Sequence, residues 1–403
     1  MNKNIVKHIF WIVIGGMICF ISACNNDSVS EKQAESFLKY YAVGIDDNTG
    51  TEVIQTPGGY AILGNYENDD DQKDLFVIFT DEFGRQKTDS PVVIGTDLKD
   101  HGYSMISVND GYLITGTSFD ATRKLGYLVM ISSDGRRVLW ERNYSGYQEL
   151  VFRNACQARD GNLIITGYSK NDTGDREVIL FKTSAELDSM WLKLYPLPGR
   201  NDVGEAIIEH LGRYHILTTS TLVSSPRQSR IRILNTSTDG RGPWQLPLLT
   251  DYLSGKDIAI NDAGNMYILG NLEDPVSRVS KIFLAELVLT GQNNGITNLG
   301  DSATIPDLES LHAASFAAVE QNRLAIGGTQ DKQSDHNILY MLVDVDNDFK
   351  PLIRETYGSN KGYQSSESII YTSDQGFALT GSIDLADRKT SMLLKLDSDG
   401  ELR

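Results

Sequence analysis

One short phrase recurs seven times along this chain, and it restricts the possible folds more than any other feature. It reads Gly59-Tyr60-Ala61-Ile62-Leu63-Gly64 at its first appearance and Gly111-Tyr112-Leu113-Ile114-Thr115-Gly116 at its second. It returns as Leu163-Ile164-Ile165-Thr166-Gly167, His215-Ile216-Leu217-Thr218-Thr219, Met266-Tyr267-Ile268-Leu269-Gly270, Leu324-Ala325-Ile326-Gly327-Gly328 and Gly376-Phe377-Ala378-Leu379-Thr380-Gly381. The closing small residues stand at 64, 116, 167, 219, 270, 328 and 381, with spacings of 52, 51, 52, 51, 58 and 53. A period near fifty in a strand-rich chain predicts a β-propeller, in which each repeat is a blade that buries its faces only against its neighbours.

Each copy divides into four strand-like parts. In the last copy, Glu367-Ser368-Ile369-Ile370-Tyr371 precedes a turn, the phrase follows, and Ser391-Met392-Leu393-Leu394-Lys395-Leu396 leads to the turn Asp397-Ser398-Asp399-Gly400. The Asp-Gly pairs at Asp134-Gly135 and Asp239-Gly240 predict tight hairpins with positive φ at both residues. The fourth part opens on an aromatic, Trp140, Trp191 or Trp244, with a tyrosine four residues on in Trp140/Tyr144 and Trp191/Tyr195 and a weaker echo in Ile353/Tyr357. These aromatics are expected between blades, as core and not as a sugar platform. The chain ends at Arg403, where the seventh copy should begin its fourth strand, and Phe37 to Tyr41 repeats the aromatic-then-tyrosine pattern. The expected fold is therefore an all-β, seven-bladed propeller of four-stranded blades over residues 36–403, closed by an N-terminal strand that completes the last blade.

The phrase, followed by a third strand and an Asp-Gly turn ahead of Trp, resembles extracytoplasmic β-propeller lipoproteins with DGG[YF]-type repeats, of Bacteroidetes type and mostly without assigned activity. The resemblance covers residues 36–403 and implies fold, not ligand. It departs at Thr219 for glycine, at Asn322-Arg323 for Gly-Tyr, and at a longer approach to the sixth copy from Thr290 to Leu311, where individuality is expected. The start of the chain reads as an address. Lys3 and Lys7 precede a short apolar run from Ile9 to Phe20, and Ile21-Ser22-Ala23-Cys24 resembles a bacterial lipobox. The likeness implies a signal peptide over 1–23, a diacylglycerol on Cys24, a tether over 24–35, and a location at the outer membrane, on its periplasmic or cell-surface side.

Losing Lys3 and Lys7 takes the formal charge from −17 to −19. So acidic a chain is a poor partner for nucleic acid and for anionic headgroups, which leaves the lipid as the membrane contact. With Cys19 removed and Cys24 acylated, Cys156 has no intrachain disulfide partner and is expected as a buried, inert thiol.

No nucleophile elbow, phosphate-cradling loop, His-Glu-x-x-His helix or Cys-x-x-Cys pair is present. The histidines beyond the signal, His101, His210, His215, His312 and His336, are scattered along the chain. Asp344-x-Asp346-x-Asp348 with Glu355 mimics calcium-loop spacing, but Phe349 stands where glycine is required, so a solvated turn is the expectation. Ser237 to Trp244 reads as hairpin chemistry in the same way. The most informative set comes from the starts of the first strands, where one equivalent position, give or take one residue, holds Glu52, Ser104, Asn154, Glu205, Asp257, Ser315 and Glu367. In a propeller these residues would ring the mouth of the central channel, where they could hold a cation such as calcium, or a ligand's amines and hydroxyls. Tyr147, Tyr252 and Tyr363 fall in nearby loops and would add stacking. The expected function is non-catalytic binding of a protein partner or glycan, with no resident cofactor. A polysaccharide hydrolase or lyase using a carboxylate pair is the alternative, and it would require two carboxylates in one walled pocket with one pKa raised by burial.

Overall fold

The recurring phrase is the second strand of every repeat, and its side chains explain why it reads as a nearly unbroken apolar run. Ala61, Ile62 and Leu63 have no exposure at all, and neither do Leu324, Ala325 and Ile326. Such strands are covered on both faces, so successive residues on opposite sides both meet apolar neighbours. The computed structural model describes residues 36–403 except 45–46, 68–72, 88–89, 110, 243, 248–250, 291–294, 306, 308, 333–334, 359–361 and 386–387. The signal sequence, Cys24, the tether and the acidic run 69–71 lie outside the described residues.

Twenty-eight strands are described. The chain enters through β1 (Phe37–Tyr41) and continues into β2 (Asn48–Thr56), β3 (Gly59–Glu67), β4 (Lys73–Phe79) and β5 (Val92–Ile94). Then come β6 (Lys99–Val108), β7 (Gly111–Asp120), β8 (Arg123–Ser132), β9 (Val138–Tyr144), β10 (Glu149–Gln157), β11 (Leu163–Lys170), β12 (Arg176–Thr183) and β13 (Ser189–Tyr195). The second half holds β14 (Arg200–His210), β15 (Arg213–Leu222), β16 (Ser225–Ser237), β17 (Trp244–Pro247), β18 (Leu253–Ile260), β19 (Met266–Glu273), β20 (Ser280–Thr290) and β21 (Gly295–Ile305). The last are β22 (Leu311–Val319), β23 (Arg323–Lys332), β24 (Asp335–Asp344), β25 (Lys350–Tyr357), β26 (Gln364–Tyr371), β27 (Phe377–Leu385) and β28 (Arg388–Leu396).

The arrangement is an all-β propeller. Among the described residues, β2–β5, β14–β17, β18–β21, β22–β25 and the set β26-β27-β28-β1 form five separate four-stranded blades. The expected count of seven separate blades does not hold, because β6–β13 hydrogen-bond as one eight-stranded sheet. Its two meanders are joined by a parallel pairing of β8 with β10 at Lys124 and Glu149. The innermost strands β2, β6, β10, β14, β18, β22 and β26 touch in that order, and β26 returns to β2.

Closure by the N-terminal strand is as expected. β1 pairs antiparallel with β28 from Phe37↔Lys395 to Tyr41↔Ser391. Tyr41, Val43, Val53, Tyr60, Ile62, Phe76 and Ile78 pack with Ala378 and Leu393 in a single apolar cluster across the seam.

The tyrosines of the fourth strands do more than fill space. Tyr144 donates to the Leu187 carbonyl, Tyr195 to Gly240 at 2.9 Å, Tyr357 to Gly400, and Tyr41 to Gly84 at 2.7 Å. Each bond reaches the hairpin turn of the next repeat, so the tyrosine latches one repeat to its successor. The tryptophan expectation fails for Trp140, which is 44% exposed because an outermost strand leaves one face to solvent, and holds for Trp191, which packs partly buried against a cluster shared by two neighbouring repeats. The side chain of Trp244 is outside the description.

The Asp-Gly hairpins are corrected too. Only the glycine takes positive φ, at 71° in Gly135 and 70° in Gly240. At Gly240 the turn is a three-residue type, with Gly240 N donating to Ser237 O and Ser237 N to Arg241 O, and at Gly135 it is one residue longer, with Ser132 N donating to Arg137 O, so aspartate stays in ordinary backbone. Cys156 is a free thiol, half-buried where full burial was expected, and desolvation pushes its pKa up to about 12. Thr290 to Leu311 lengthens the outer hairpin β20/β21. Asp344 caps a short 3-10 turn by accepting from Asp346 N.

Candidate functional site

Every innermost strand carries a β-bulge at the same depth. The register slips between Gly50/Glu52, Gly102/Ser104, Phe152/Asn154, Gly204/Ala206, Gly255/Asp257, Ala313/Ser315 and Ser366/Ser368. A bulge leaves one residue outside the ladder and turns its side chain away from the regular pattern. The unpaired residues are Thr51, Tyr103, Arg153, Glu205, Lys256, Ala314 and Glu367. The residues that follow them are Glu52, Ser104, Asn154, Ala206, Asp257, Ser315 and Ser368.

Two layers therefore stand where the sequence suggested one ring. Glu52, Ser104, Asn154, Asp257 and Ser315 belong to the layer after the bulge. Glu205 and Glu367 belong to the bulge layer, and their expected equivalence to Glu52 is corrected to Ala206 and Ser368. The error in the fourth copy has a simple origin. Gly204 pairs with Thr218, as Gly50 pairs with Gly64, so Thr218 and not Thr219 closes that phrase.

Both layers, Ala206 and Ser368 excepted, line one cavity of about 760 Å³. All seven expected ring residues and Tyr363 border it. Tyr147 and Tyr252 do not. Tyr147 packs against the cluster of Phe152 and Phe181, and Tyr252 occupies a positive-φ turn whose carbonyl receives Glu273 N.

The layer after the bulge is held by a belt of bonds that runs from strand to strand. Asn154 Oδ1 accepts from Ile207 N at 3.1 Å, Asp257 Oδ2 from Phe316 N at 3.3 Å, Ser315 Oγ from Ile369 N at 3.4 Å and Ser368 Oγ from Val53 N at 3.4 Å. Each side chain satisfies a backbone donor on the next innermost strand, which is the edge strand of its blade and has no ladder partner on the channel side. A second belt lies beside it. Asn65 exchanges two hydrogen bonds with Gly102, Asn271 does the same with Ala313, and Thr219 Oγ1 accepts from Gly255 N.

The carboxyls in this layer are perturbed. Burial raises Glu52 to about 8, against hydrogen bonds from Ser368 and Ser104, and the charge of Asp257 adds to the rise. Burial raises Asp257 to about 6, against the donors Phe316 N and Ile258 N. At neutral pH Glu52 is thus a neutral acid and Asp257 mostly an anion, within one cavity. Glu367 is also raised by burial, and the charges of Lys256 and Lys389 restrain the shift.

The bulge layer and the mouth above it carry groups that the sequence reading passed over. Arg153 pairs with Glu205 at 3.3 Å. His312 Nε2 and His336 Nδ1 both meet Asp331, at 3.0 and 2.6 Å. Aligning the copies one residue earlier would have exposed Tyr103, Arg153 and Lys256. His336 and Lys389 stand at the starts of the third strands β24 and β28 and have no periodic signal. His210 and His215 play no part here. The His215 ring is buried, with Asn235 Nδ2 on Nδ1 and the His210 carbonyl near Nε2, and burial lowers its pKa to about 4. Among the described residues no group of three His, Cys, Asp or Glu is placed to hold a metal ion.

No family model matches the chain, and no curated protein matches it. Solved structures do. A PL25 ulvan lyase aligns over 89% of this chain and 96% of its own, with a TM-score of 0.58 at 10% identity. A prolyl endopeptidase aligns over 88% of this chain and 48% of its own, with a TM-score of 0.54 at 14% identity. A puromycin-hydrolysing peptidase of Mycobacterium tuberculosis aligns over 92% of this chain and 53% of its own, with a TM-score of 0.51 at 10% identity. The chain thus spans about half the length of those two peptidases. At such identities the likeness is one of fold.

Proposed function

We propose that this protein is a lipid-anchored propeller of the bacterial envelope that binds a glycan in its central cavity. Cys24 carries the anchor, and the ring has seven blade positions, two of them fused in the eight-stranded sheet. One observation carries the reading. Every innermost strand contributes a bulge to a single cavity of about 760 Å³, with hydroxyls, amides and charges in place of an apolar wall. A cavity of that size and polarity suits several linked sugars, whose hydroxyls need a donor or acceptor in most directions. The ulvan lyase neighbour in one of its structures is bound to -[GlcA(1-4)Rha3S]-, which is consistent with a sugar chain on a propeller of this shape.

The test is calorimetric titration of the mature chain with neutral and acidic oligosaccharides. Ala314→Trp puts a bulky ring on a bulge residue that borders the cavity, and it should cut affinity at least about tenfold while the melting curve holds. Unchanged binding by a folded Ala314→Trp protein sinks the reading.

A catalytic version of the same reading is favoured by Glu52 and Asp257, a protonated acid and an ionised carboxylate in one pocket. That pairing is the arrangement a glycoside hydrolase uses for general acid and base. Chromatography of the titrated sugars decides between them. A hydrolase shortens the chain and stops when Glu52→Gln is introduced, whereas a binding protein returns its ligand intact.

A further inference from the structure

Two triple stacks, each of a histidine, a tyrosine and a cation, stand on the cavity wall. In the first, the rings of His101 and Tyr103 lie 4.6 Å apart, and the Arg153 guanidinium sits 4.6 Å from the Tyr103 ring. In the second, the rings of His336 and Tyr363 lie 4.6 Å apart, and the Lys389 ammonium sits 5.0 Å from the Tyr363 ring. All six residues line the cavity. Arg153 is on β10, and Lys389 is on β28 in the blade of β26. In the cyclic order of innermost strands, β10 and β26 are three steps apart one way and four the other, so the stacks are nearly opposite.

A lysine or arginine at a surface is ordinarily a mobile side chain that loses rotamer freedom when it meets a ligand. Seating the cation on a ring face orders it beforehand and leaves its N–H groups pointing outward. Glu205 engages one nitrogen of Arg153, so the rest of the guanidinium is open to a second acceptor. No carboxylate within ion-pair distance of Lys389 is described. The layer below has the opposite character. Asp257 would repel an anion, and both it and the neutral Glu52 accept from hydroxyls, so a ligand carrying both groups is favoured with its acids at the mouth.

We infer that the ligand is an acidic glycan, whose carboxylate or sulfate groups on separate sugars are received by Arg153 and Lys389. This rests on the reading of the cavity as a glycan site and adds the chemical class. The shared chemistry is a fixed anion on a sugar ring, and the experiment separates its two sources.

The mature chain is titrated with a galacturonate oligosaccharide, a sulfated galactan oligosaccharide and a neutral galacto-oligosaccharide of equal length. One or both acidic ligands should bind at least about tenfold tighter than the neutral one, and the advantage should shrink as salt is added. Lys389→Met should lose about fivefold or more of the acidic affinity and little of the neutral. Arg153→Met should do the same, with its melting curve reporting any structural loss from the Glu205 pair. Lys193→Met is the control. Lys193 sits 5.7 Å over the Trp191 ring on the outermost strand β13, away from the cavity, and should change nothing. Equal affinity for acidic and neutral ligands, or full acidic affinity in Lys389→Met, overturns the inference. If the neutral ligand binds in the manner that Ala314→Trp abolishes and the acidic ones bind no better, the acidic class falls and the glycan site stands. If no oligosaccharide of either class binds, both fall.

Discussion

Glu52 accepts a hydrogen bond from Ser368 across the closing seam while burial and the charge of Asp257 oppose its ionisation. A carboxyl whose pKa is 4.5 in the unfolded chain and about 8 in the folded one must release a proton when the protein unfolds between those values. Stability attributable to it is therefore full below about pH 4.5 and drains away as pH rises toward 8. Glutamine keeps the size and an oxygen acceptor but cannot titrate. Glu52→Gln should gain on the wild type across that window, by about 1 kcal/mol once screening by cavity water is allowed for, or roughly 2 °C in Tm. Melting curves at pH 5 and pH 8.5 check it. A gap between the two proteins that fails to widen with pH would mean that Glu52 is ionised in the fold throughout.

At the scale of the strand, the bulge and the latch explain what the repeat could and could not announce. The second strands were legible because both of their faces are buried, which writes an apolar run into every copy. The bulge adds one residue without changing composition, so the copies could be aligned only to within a position. In the fourth copy, Thr218 and Thr219 are the same residue type, and nothing but the ladder tells them apart. The tyrosine spacing was visible and its purpose was not, because the acceptor is a carbonyl in the next repeat. Tyr195→Phe keeps the ring and removes one buried hydrogen bond, leaving the Gly240 carbonyl without its partner. It should cost about 1 kcal/mol in chemical denaturation. A loss indistinguishable from zero would reduce the latch to packing. Trp140 misled for the converse reason, since a large aromatic at a fixed period signals core only where both faces of its strand are covered.

For the molecule as a whole, the seam between β1 and β28 matters most. Removing residues 36–44 uncovers the β28 edge and strips Phe37, Tyr41 and Val43 from the seam cluster. At about 2 kcal/mol for each buried side chain, Tm should fall by about 10 °C or more, with new protease cuts in the last repeat. An unaltered melt would mean that β1 is an accessory and not the closing strand. Closure was readable from both ends of the sequence, because the last copy lacks a fourth strand and the first is preceded by one. The fusion of β6–β13 into a single sheet was not readable, since a parallel contact between Lys124 and Glu149 leaves no period behind.

The seam also brings the two ends of the described chain together. Arg403 N donates to Ser36 Oγ at 2.6 Å, and Ser36 Oγ donates to the Arg403 carbonyl at 3.1 Å. Viewed as a circle, this polypeptide has been cut at an arbitrary point, one strand away from a boundary between repeats. A short peptide joining Arg403 to Ser36 would close that cut, and any exposed hairpin could then serve as the place where the chain begins, with the same blades and the same cavity assembled from a permuted order of codons.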